Sequence, residues 1–456
     1  MANREGGLDK PTRHAPAWHD PSYYDEQALD AELRRTFDIC HGCRRCFNLC
    51  DSFPRLFDLV DNSKTGELDS ADSAGFKPVI EACTLCDMCF MTKCPYVPPH
   101  PFALDFPHLM LRARAVDAKK HGIPFNQRQL TETDRNGRLA GLFAPLVNWA
   151  GDTSNHFTRW IMERVAGIHR RAHLPRFSFQ TFAIIDRARP AEVNEAAPAR
   201  GRKVVLYTTC FVNYNKPGIG QATRAVLEHN GVEVEVVYPE CCGMPQLEHG
   251  EIGDVAARAK RIAASMKPWL EKGYLVVAPV PSCALMLRSE WPLLVPDDPE
   301  IAALAAATRD VSEYVMEIAA KEGLVPGLQP LEGGAWLQLS CHARAQNIGA
   351  KAAEMLRLIP GFQVGVIERC SGHGGSWGVL KENFEIALKV GKPVARQIAE
   401  NPRAFVASEC PLAADHVVQG ARIIAADSGG GTGPADSYHP IEILAQAYGL
   451  ADERHV

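Results

Sequence analysis

Residues 40–50 read Cys-His-Gly-Cys-Arg-Arg-Cys-Phe-Asn-Leu-Cys, and residues 83–95 read Cys-Thr-Leu-Cys-Asp-Met-Cys-Phe-Met-Thr-Lys-Cys-Pro. The spacings are Cys40-x2-Cys43-x2-Cys46-x3-Cys50 and Cys83-x2-Cys86-x2-Cys89-x4-Cys94. Three thiolates at successive two-residue gaps wrap one face of an iron–sulfur cube, and in two-cluster proteins the last cysteine of each run ligates the other run's cluster. The pattern therefore predicts one 4Fe–4S cluster on Cys40, Cys43, Cys46 and Cys94, and a second on Cys83, Cys86, Cys89 and Cys50. Structural zinc takes two ligand pairs and has no use for a third cysteine at the same gap. Disulfide frameworks belong to small secreted chains. The chemistry predicted is single-electron transfer.

A chain of 456 residues exceeds one core and predicts several domains. The net charge of −5 gives no global pull toward nucleic acid, and no nucleic-acid partner is expected. The opening residues are polar and lack the apolar core of an export signal. The most apolar stretch, Leu275 to Leu287, is too short to span a bilayer and carries Pro279 and Pro281. A cytoplasmic protein is expected, either soluble or peripheral on the inner face of the membrane. In that reducing setting fifteen cysteines read as metal ligands.

Residues 1–30 read as a poorly ordered tail. Residues 31–112 form the cluster domain. The stretch between Cys50 and Cys83 lacks alternating apolar runs, so this domain is expected to be all-helical. Residues 113–200 read as a connector ending in a linker. Within it Phe157, Trp160, Ile161, Val165 and Ile168 share a helical face, with Arg159, Arg164, Arg170 and Arg171 near the other side. The plainer expectation is a helix packed on its own domain with a solvated basic face; an anionic membrane surface is the other.

From residue 203 strands and helices alternate, which predicts parallel sheets. Strands are expected at Lys203–Thr208, Val232–Tyr238 and Tyr274–Val280, with helices at Gly218–Asn230, Glu251–Glu271 and Leu285–Trp291. The pattern recurs with strands at Ala335–Ser340, Phe362–Glu368 and Ala404–Ser408, and helices at Ala350–Leu358, Phe384–Glu400 and Asp415–Ile424. Cys210, Cys241/Cys242 and Cys283 each follow a strand, and Cys341, Cys370 and Cys410 repeat that placement about 130 residues later. All six sites are thus expected at carboxyl ends of strands, where open α/β sheets build their sites. This divides the rest of the chain into repeats at 201–330 and 331–456.

In the first repeat Cys210, Cys241, Cys242 and Cys283 supply four thiolates, enough for a further iron–sulfur centre. Met286, a weak thioether, is expected to pack. The second repeat has only Cys341, Cys370 and Cys410. His342 and His373, the latter in a glycine-rich turn, lie beside them and can complete a mixed site for zinc or iron; equally, the site is a relic that binds nothing. The run from Ser428 to Gly433 lacks the lysine and preceding strand of a phosphate loop and reads as a flexible loop.

These residues together resemble a known family. An all-helical two-cluster ferredoxin domain, similar to the C-terminal half of succinate dehydrogenase iron–sulfur subunits, precedes α/β tandem cysteine-rich CCG domains with parallel sheets. That order resembles the heterodisulfide-reductase-related iron–sulfur proteins. The segments Asp87–Pro99, Phe106–Leu111, Ser282–Leu287 and His439–Ile441 look most like the iron–sulfur subunits of anaerobic glycerol-3-phosphate dehydrogenases, and more distantly like the iron–sulfur proteins of glycolate and lactate oxidation. The resemblance implies a subunit that takes electrons from a flavoprotein dehydrogenase and passes them on, often toward membrane quinone or a quinone-reducing partner. It also marks departures: Met286, Ser371 and Ala413 stand where the full pattern has cysteines, so the second CCG repeat is degenerate.

The function expected is an iron–sulfur electron-transfer subunit with no catalytic acid, base or nucleophile of its own. No GxGxxG fingerprint follows the first strand, so flavin or nicotinamide is expected on a partner. The alternatives are a heterodisulfide-type thiol–disulfide reductase acting at the first CCG site, an electron donor to a soluble di-iron protein, and a non-catalytic redox sensor.

Overall fold

A computed structural model describes residues 11–429 and 432–450. Its first third is helical. α1 (Glu26–Cys43) starts where Asp25 accepts the Ala28 N–H at 2.7 Å, buries Leu29, Leu33 and Phe37 on one stripe, and stops at Arg44 in the left-handed region. α2 (Ser52–Asp61) buries Phe53, Leu56, Phe57 and Val60; α3 (Phe76–Glu81) buries Phe76 and Val79. α4 (Phe106–His121) is capped by Asp105 and closes on Lys119, Lys120 and His121 before Gly122. Aromatic rings hold these helices together: Phe53 lies 4.7 Å from Phe106, and Phe37 meets Phe76 edge-on at 5.0 Å.

The tail expected over residues 1–30 is packed from residue 11 onward. Arg13 is buried between Asp87, Asp105 and Glu290, at 2.7, 2.8 and 3.3 Å. The Trp18 indole donates to the Leu294 carbonyl at 2.8 Å. The polar composition that suggested a free tail conceals one cation with three buried carboxylate partners.

The connector is a run of short helices: α5 (Phe125–Thr131), α6 (Thr133–Leu142), α7 (Ala144–Gly151), α8 (His156–Val165) and α9 (Phe182–Arg187). The expected orientation of α8 is reversed. Phe157 and Val165 face solvent, whereas Arg159 is buried and donates to the carbonyls of Arg170, His169 and Ala172. Its guanidinium satisfies three carbonyls of the turn that follows the helix, which outweighs the apolar periodicity. Ile168 lies beyond the helix, in an antiparallel bridge to Leu380.

Two parallel sheets follow. The first has strand order β2-β1-β3-β4, from β1 (Lys203–Tyr207), β2 (Glu233–Val237), β3 (Leu275–Ala278) and β4 (Thr308–Asp310). The second has order β6-β5-β7, from β5 (Ala335–Gln338), β6 (Val364–Ile367) and β7 (Phe405–Ser408). Leu206 pairs with Val236 and Val277, and Leu337 with Val366 and Ala407, so β1 and β5 are the equivalent central strands. β4 is an addition; three residues are too few to raise a strand signal. The helix expected at Leu285–Trp291 lies within a longer helical run from Pro281 to Leu294, widened to a π-helix at Met286–Glu290. Met286 is fully buried in it. Of the glycine-rich loop, Gly430 and Gly431 lie outside the described residues. Among the described residues no helix is long and apolar enough to cross a membrane.

Candidate metal centres

The helical region gathers its eight cysteines into two groups. Burial, then Cys94, Cys46 and Cys43 nearby, pushes the Cys40 thiol well above its ordinary value. Burial, then Cys86 and Cys83, does the same to Cys50. Cys89 responds to burial and then to Cys86, Cys83, Cys46 and Cys50. The neighbours are thus Cys40, Cys43, Cys46 and Cys94 in one set, Cys50, Cys83, Cys86 and Cys89 in the other, and Cys89 lies near enough to Cys46 of the first set to feel its charge. The loops that present them hold Arg44, Leu85 and Asp87 at φ of 53°, 48° and 63° without any glycine. Such backbone is strained for these residues and persists where the surroundings demand it. Bare thiolates so placed repel one another and lose solvation; a cationic iron core reverses both effects. The donor chemistry fits iron–sulfur clusters.

In the first sheet every cysteine lies past a strand end. Thr209, at φ 67°, swings Cys210 inward after β1. After β2 comes Cys241-Cys242, then Gly243 at φ 85°, a conformation open to glycine. After β3 comes Cys283, whose Sγ lies 3.2 Å from that of Cys242. Hydrogen bonds from Cys210 and Cys242 hold Cys241 well below the ordinary thiol value. Asp134 of α6 accepts the Cys241 N–H at 2.8 Å and also the Tyr238 hydroxyl. The Trp291 indole donates to the Cys242 carbonyl at 3.2 Å. Four buried sulfurs with a fixed surround suit a metal–sulfur centre.

The second sheet brings its cysteines to the same strand ends, but differently. The Cys341 thiol sits against Cys370 and also against Cys86 of the helical region. Cys370 is held at about 7 by its contact with Cys341. Cys410 Sγ lies 3.8 Å from His373 Nε2, whose Nδ1 accepts the Gly375 N–H at 3.0 Å. Burial takes His373 down to about 3, so its ring is neutral; with Nδ1 accepting, the ring proton is on Nε2, which faces the Cys410 sulfur as a donor. Among the described residues no three Cys, His, Asp or Glu side chains stand at the spacing of a single-ion site.

The cysteine-rich CCG domain family matches residues 204–288, the span from β1 to just past Cys283. A subunit of the anaerobic glycerol-3-phosphate dehydrogenase of Escherichia coli K12 is 28% identical over 328 residues, covering 70% of this chain and 76% of that protein. Lactate utilization protein A from Bacillus velezensis is 32% identical over 188 residues, covering 39% of this chain and 75% of that protein. The chain belongs to the CCG cysteine-rich domain family. The Bacillus subtilis relative of the same description is 30% identical over 188 residues.

Some residues around the centres of this CCG protein escaped the sequence. Asp134 lies in a connector with no motif, 107 residues from the cysteine whose backbone N–H it accepts. His342, a candidate ligand by its place beside Cys341, bonds Ser282 at 2.8 Å and the Leu85 carbonyl at 3.4 Å, tying both sheets to the second cysteine group. A side chain on Gly374 would strike Thr84, and one on Gly375 would strike Glu248. Neighbouring glycines in a cysteine turn were the one available signal of that close approach. Glu248 retains some exposed surface yet sits deep in its crevice, and burial raises its carboxyl to about 8.

Proposed function

We propose that this protein is an iron–sulfur electron-transfer subunit. It takes electrons from a flavoprotein dehydrogenase and relays them to a downstream acceptor such as membrane quinone. The grouping of the eight helical-region cysteines into two neighbouring sets, with Cys341 against Cys86, carries this reading. Cys40, Cys43, Cys46 and Cys94 would hold one 4Fe–4S cluster, and Cys50, Cys83, Cys86 and Cys89 the other. Cys210, Cys241, Cys242 and Cys283 would hold a further centre, and Cys341, Cys370, Cys410 and His373 iron or zinc in a degenerate second CCG repeat. Bound clusters supply reversible one-electron chemistry; the chain excludes water and sets the potential through burial and hydrogen bonds to sulfur. The similarity to a subunit of a dehydrogenase supports a dehydrogenase partner.

Anaerobic iron and sulfide analysis with EPR tests this. Cys94→Ser and Cys50→Ser should each remove about four irons per chain and a different reduced-state signal. The purified chain should pass electrons only once a flavoprotein dehydrogenase is added. Iron-free wild-type protein that still supports electron flow defeats the reading.

A further inference from the structure

The first group of cysteines lies nearer the surface than the second. Cys40, Cys43, Cys46 and Cys94 are all half-buried, whereas Cys83 and Cys89 are buried. The second group also has sulfur neighbours in the second sheet's half, with Cys341 against Cys86 and Cys370 near Cys50. An electron relay built this way has its outer terminal at the first group.

Large side chains stand exposed around that terminal. Phe47, directly after Cys46, is 59% exposed, and Phe102 is 44% exposed. Phe47 stacks on Phe57 at 6.3 Å. Phe102 packs against His100 and Tyr96 at 4.9 and 5.5 Å, and the Tyr96 hydroxyl bonds the Cys43 sulfur. Rings held in place by neighbours lose little freedom when a partner covers them. The charge around them has one sign. Residues 39–50 and 88–104 carry Arg44, Arg45 and Lys93 and no acid, in a chain whose net charge is −5. Arg44 is paired with Asp61, but Arg45 and Lys93 are exposed and their charges reach the Cys46 sulfur. Aromatic rings and arginine are the side chains enriched where proteins meet. Proteins that exchange electrons meet over small patches, steered by opposite charge. A second copy of this chain would set cation against cation.

We propose that the surface over Cys40, Cys43, Cys46 and Cys94, with Phe47 and Phe102 at its centre and Arg45 and Lys93 at its rim, is the docking face for an electron-donating flavoprotein whose own redox edge is ringed by carboxylates. One electron leaves the partner's reduced flavin and enters the first cluster, so the partner is oxidised by one electron and the cluster reduced by one. The proposal rests on the electron-relay reading and adds the terminal at which electrons enter. Full-length, cluster-loaded protein is mixed with reduced flavodoxin, an acidic flavin carrier, and the cluster absorbance is followed by stopped flow. The second-order rate should fall about tenfold between about 20 and about 200 mM salt. Arg45→Glu with Lys93→Glu should lower the low-salt rate about tenfold and flatten its salt dependence. Lys389→Glu with Lys392→Glu, the same charge change on exposed positions of the helix Phe384–Glu400, should leave it unchanged. Phe47→Ala with Phe102→Ala, which alters no charge, should lower it about threefold at every salt concentration. Reduced methyl viologen, a small cation, should reduce no variant more slowly than wild type. A wild-type rate indifferent to salt, no loss in the first charge-reversed pair, equal loss in both pairs, or displacement of flavodoxin by duplex DNA of equal charge overturns the proposal. The wild-type salt dependence is read without any variant, so a variant that sheds its cluster does not blunt the test. Protein whose clusters viologen reduces but flavodoxin never does loses the docking face and keeps the relay. Iron-free protein that still binds flavodoxin with the same salt dependence loses the relay and keeps the docking face.

Discussion

The two α/β halves start from one plan and finish it differently. Each has a central strand flanked by two parallel neighbours, and each places a cysteine beyond all three. Each turns after its second strand through a glycine at φ 85°, Gly243 and Gly372. The first half then closes on itself: Cys242 and Cys283 approach to 3.2 Å, and Asp134 and Trp291 hold the surrounding backbone. The second half has serine and alanine at 371 and 413; its Cys341 reaches outward to Cys86, while Cys410 stays beside His373 of the same half. Its Cys341 is thus a neighbour of the helical region's cysteines. The complete site is thus braced by its own sheet and the connector, and the incomplete one abuts the proposed relay.

The largest effect should come from the sulfurs. Cys283→Ser is expected to remove the first half's centre outright, lowering iron by about two atoms or more per chain, with little change in the helical-region EPR signals. Cys341→Ser should shift the signal of the cluster on Cys50, Cys83, Cys86 and Cys89. Metal analysis and EPR on both variants break the comparison if Cys283→Ser disturbs that signal and Cys341→Ser leaves it untouched.

Next come the paired glycines. A methyl group on Gly372 would collide with the Ala387 carbonyl, which cannot move without opening the helix Phe384–Glu400. On Gly243 it meets side chains that can give way, Val255 at 3.3 Å and Arg258 at 3.5 Å. Both substitutions carry the left-handed penalty of about 1–2 kcal/mol. Gly372→Ala should therefore cost about 3 kcal/mol or more in total and Gly243→Ala about 1. Chemical denaturation of the cluster-loaded proteins ranks them, and an equal loss would mean that the halves tolerate strain alike.

The smallest effect is in pH. Burial raises Asp310 in the first half to about 7, with one oxygen bonded to the Ser312 N–H and the other unpartnered. Burial and the nearby Asp310 raise Glu409 in the second half to about 7. Folded, both stay protonated until pH nears 7, whereas the unfolded chain ionises near 4. The unfolded state binds fewer protons across that window, so stability should fall as pH rises from about 4 to 7. Asp310→Asn and Glu409→Gln should each flatten that fall, by about 1–2 kcal/mol between pH 5 and 8. Thermal melts at both pH values check this, and a fall that is unchanged in both variants removes the assignment.

Much of this architecture was legible because its signals are local. The strands read from apolar runs lie within two or three residues of those observed, and Phe384–Glu400 matches at both ends. The cysteine spacing is local in the same way, and the proposed cluster ligands, including the exchange of Cys50 and Cys94, come from it. What stayed hidden depends on long separations. Arg13 and Asp134 act on partners 74 to 277 residues away, and no period in the chain announces such contacts. The reversal of α8 has a different cause. Its apolar spacing is a true helical stripe, but spacing says only that a face is apolar, not which way it turns.

The Arg13 strap has a consequence for assembly. Its guanidinium stacks over Phe90 at 4.3 Å and bridges Asp87, between two of the second group's cysteines, to Glu290. Glu290 lies 277 residues downstream, so a growing chain emerges with this clasp unfastened until well over half its length has been made. During that interval the segment bearing Cys86 and Cys89 is open to iron delivery from outside. Once the clasp shuts, the same contact slows the loss of whatever was delivered. An affinity tag fused at the front would therefore be expected to act on metal loading first, and is better placed at the other end.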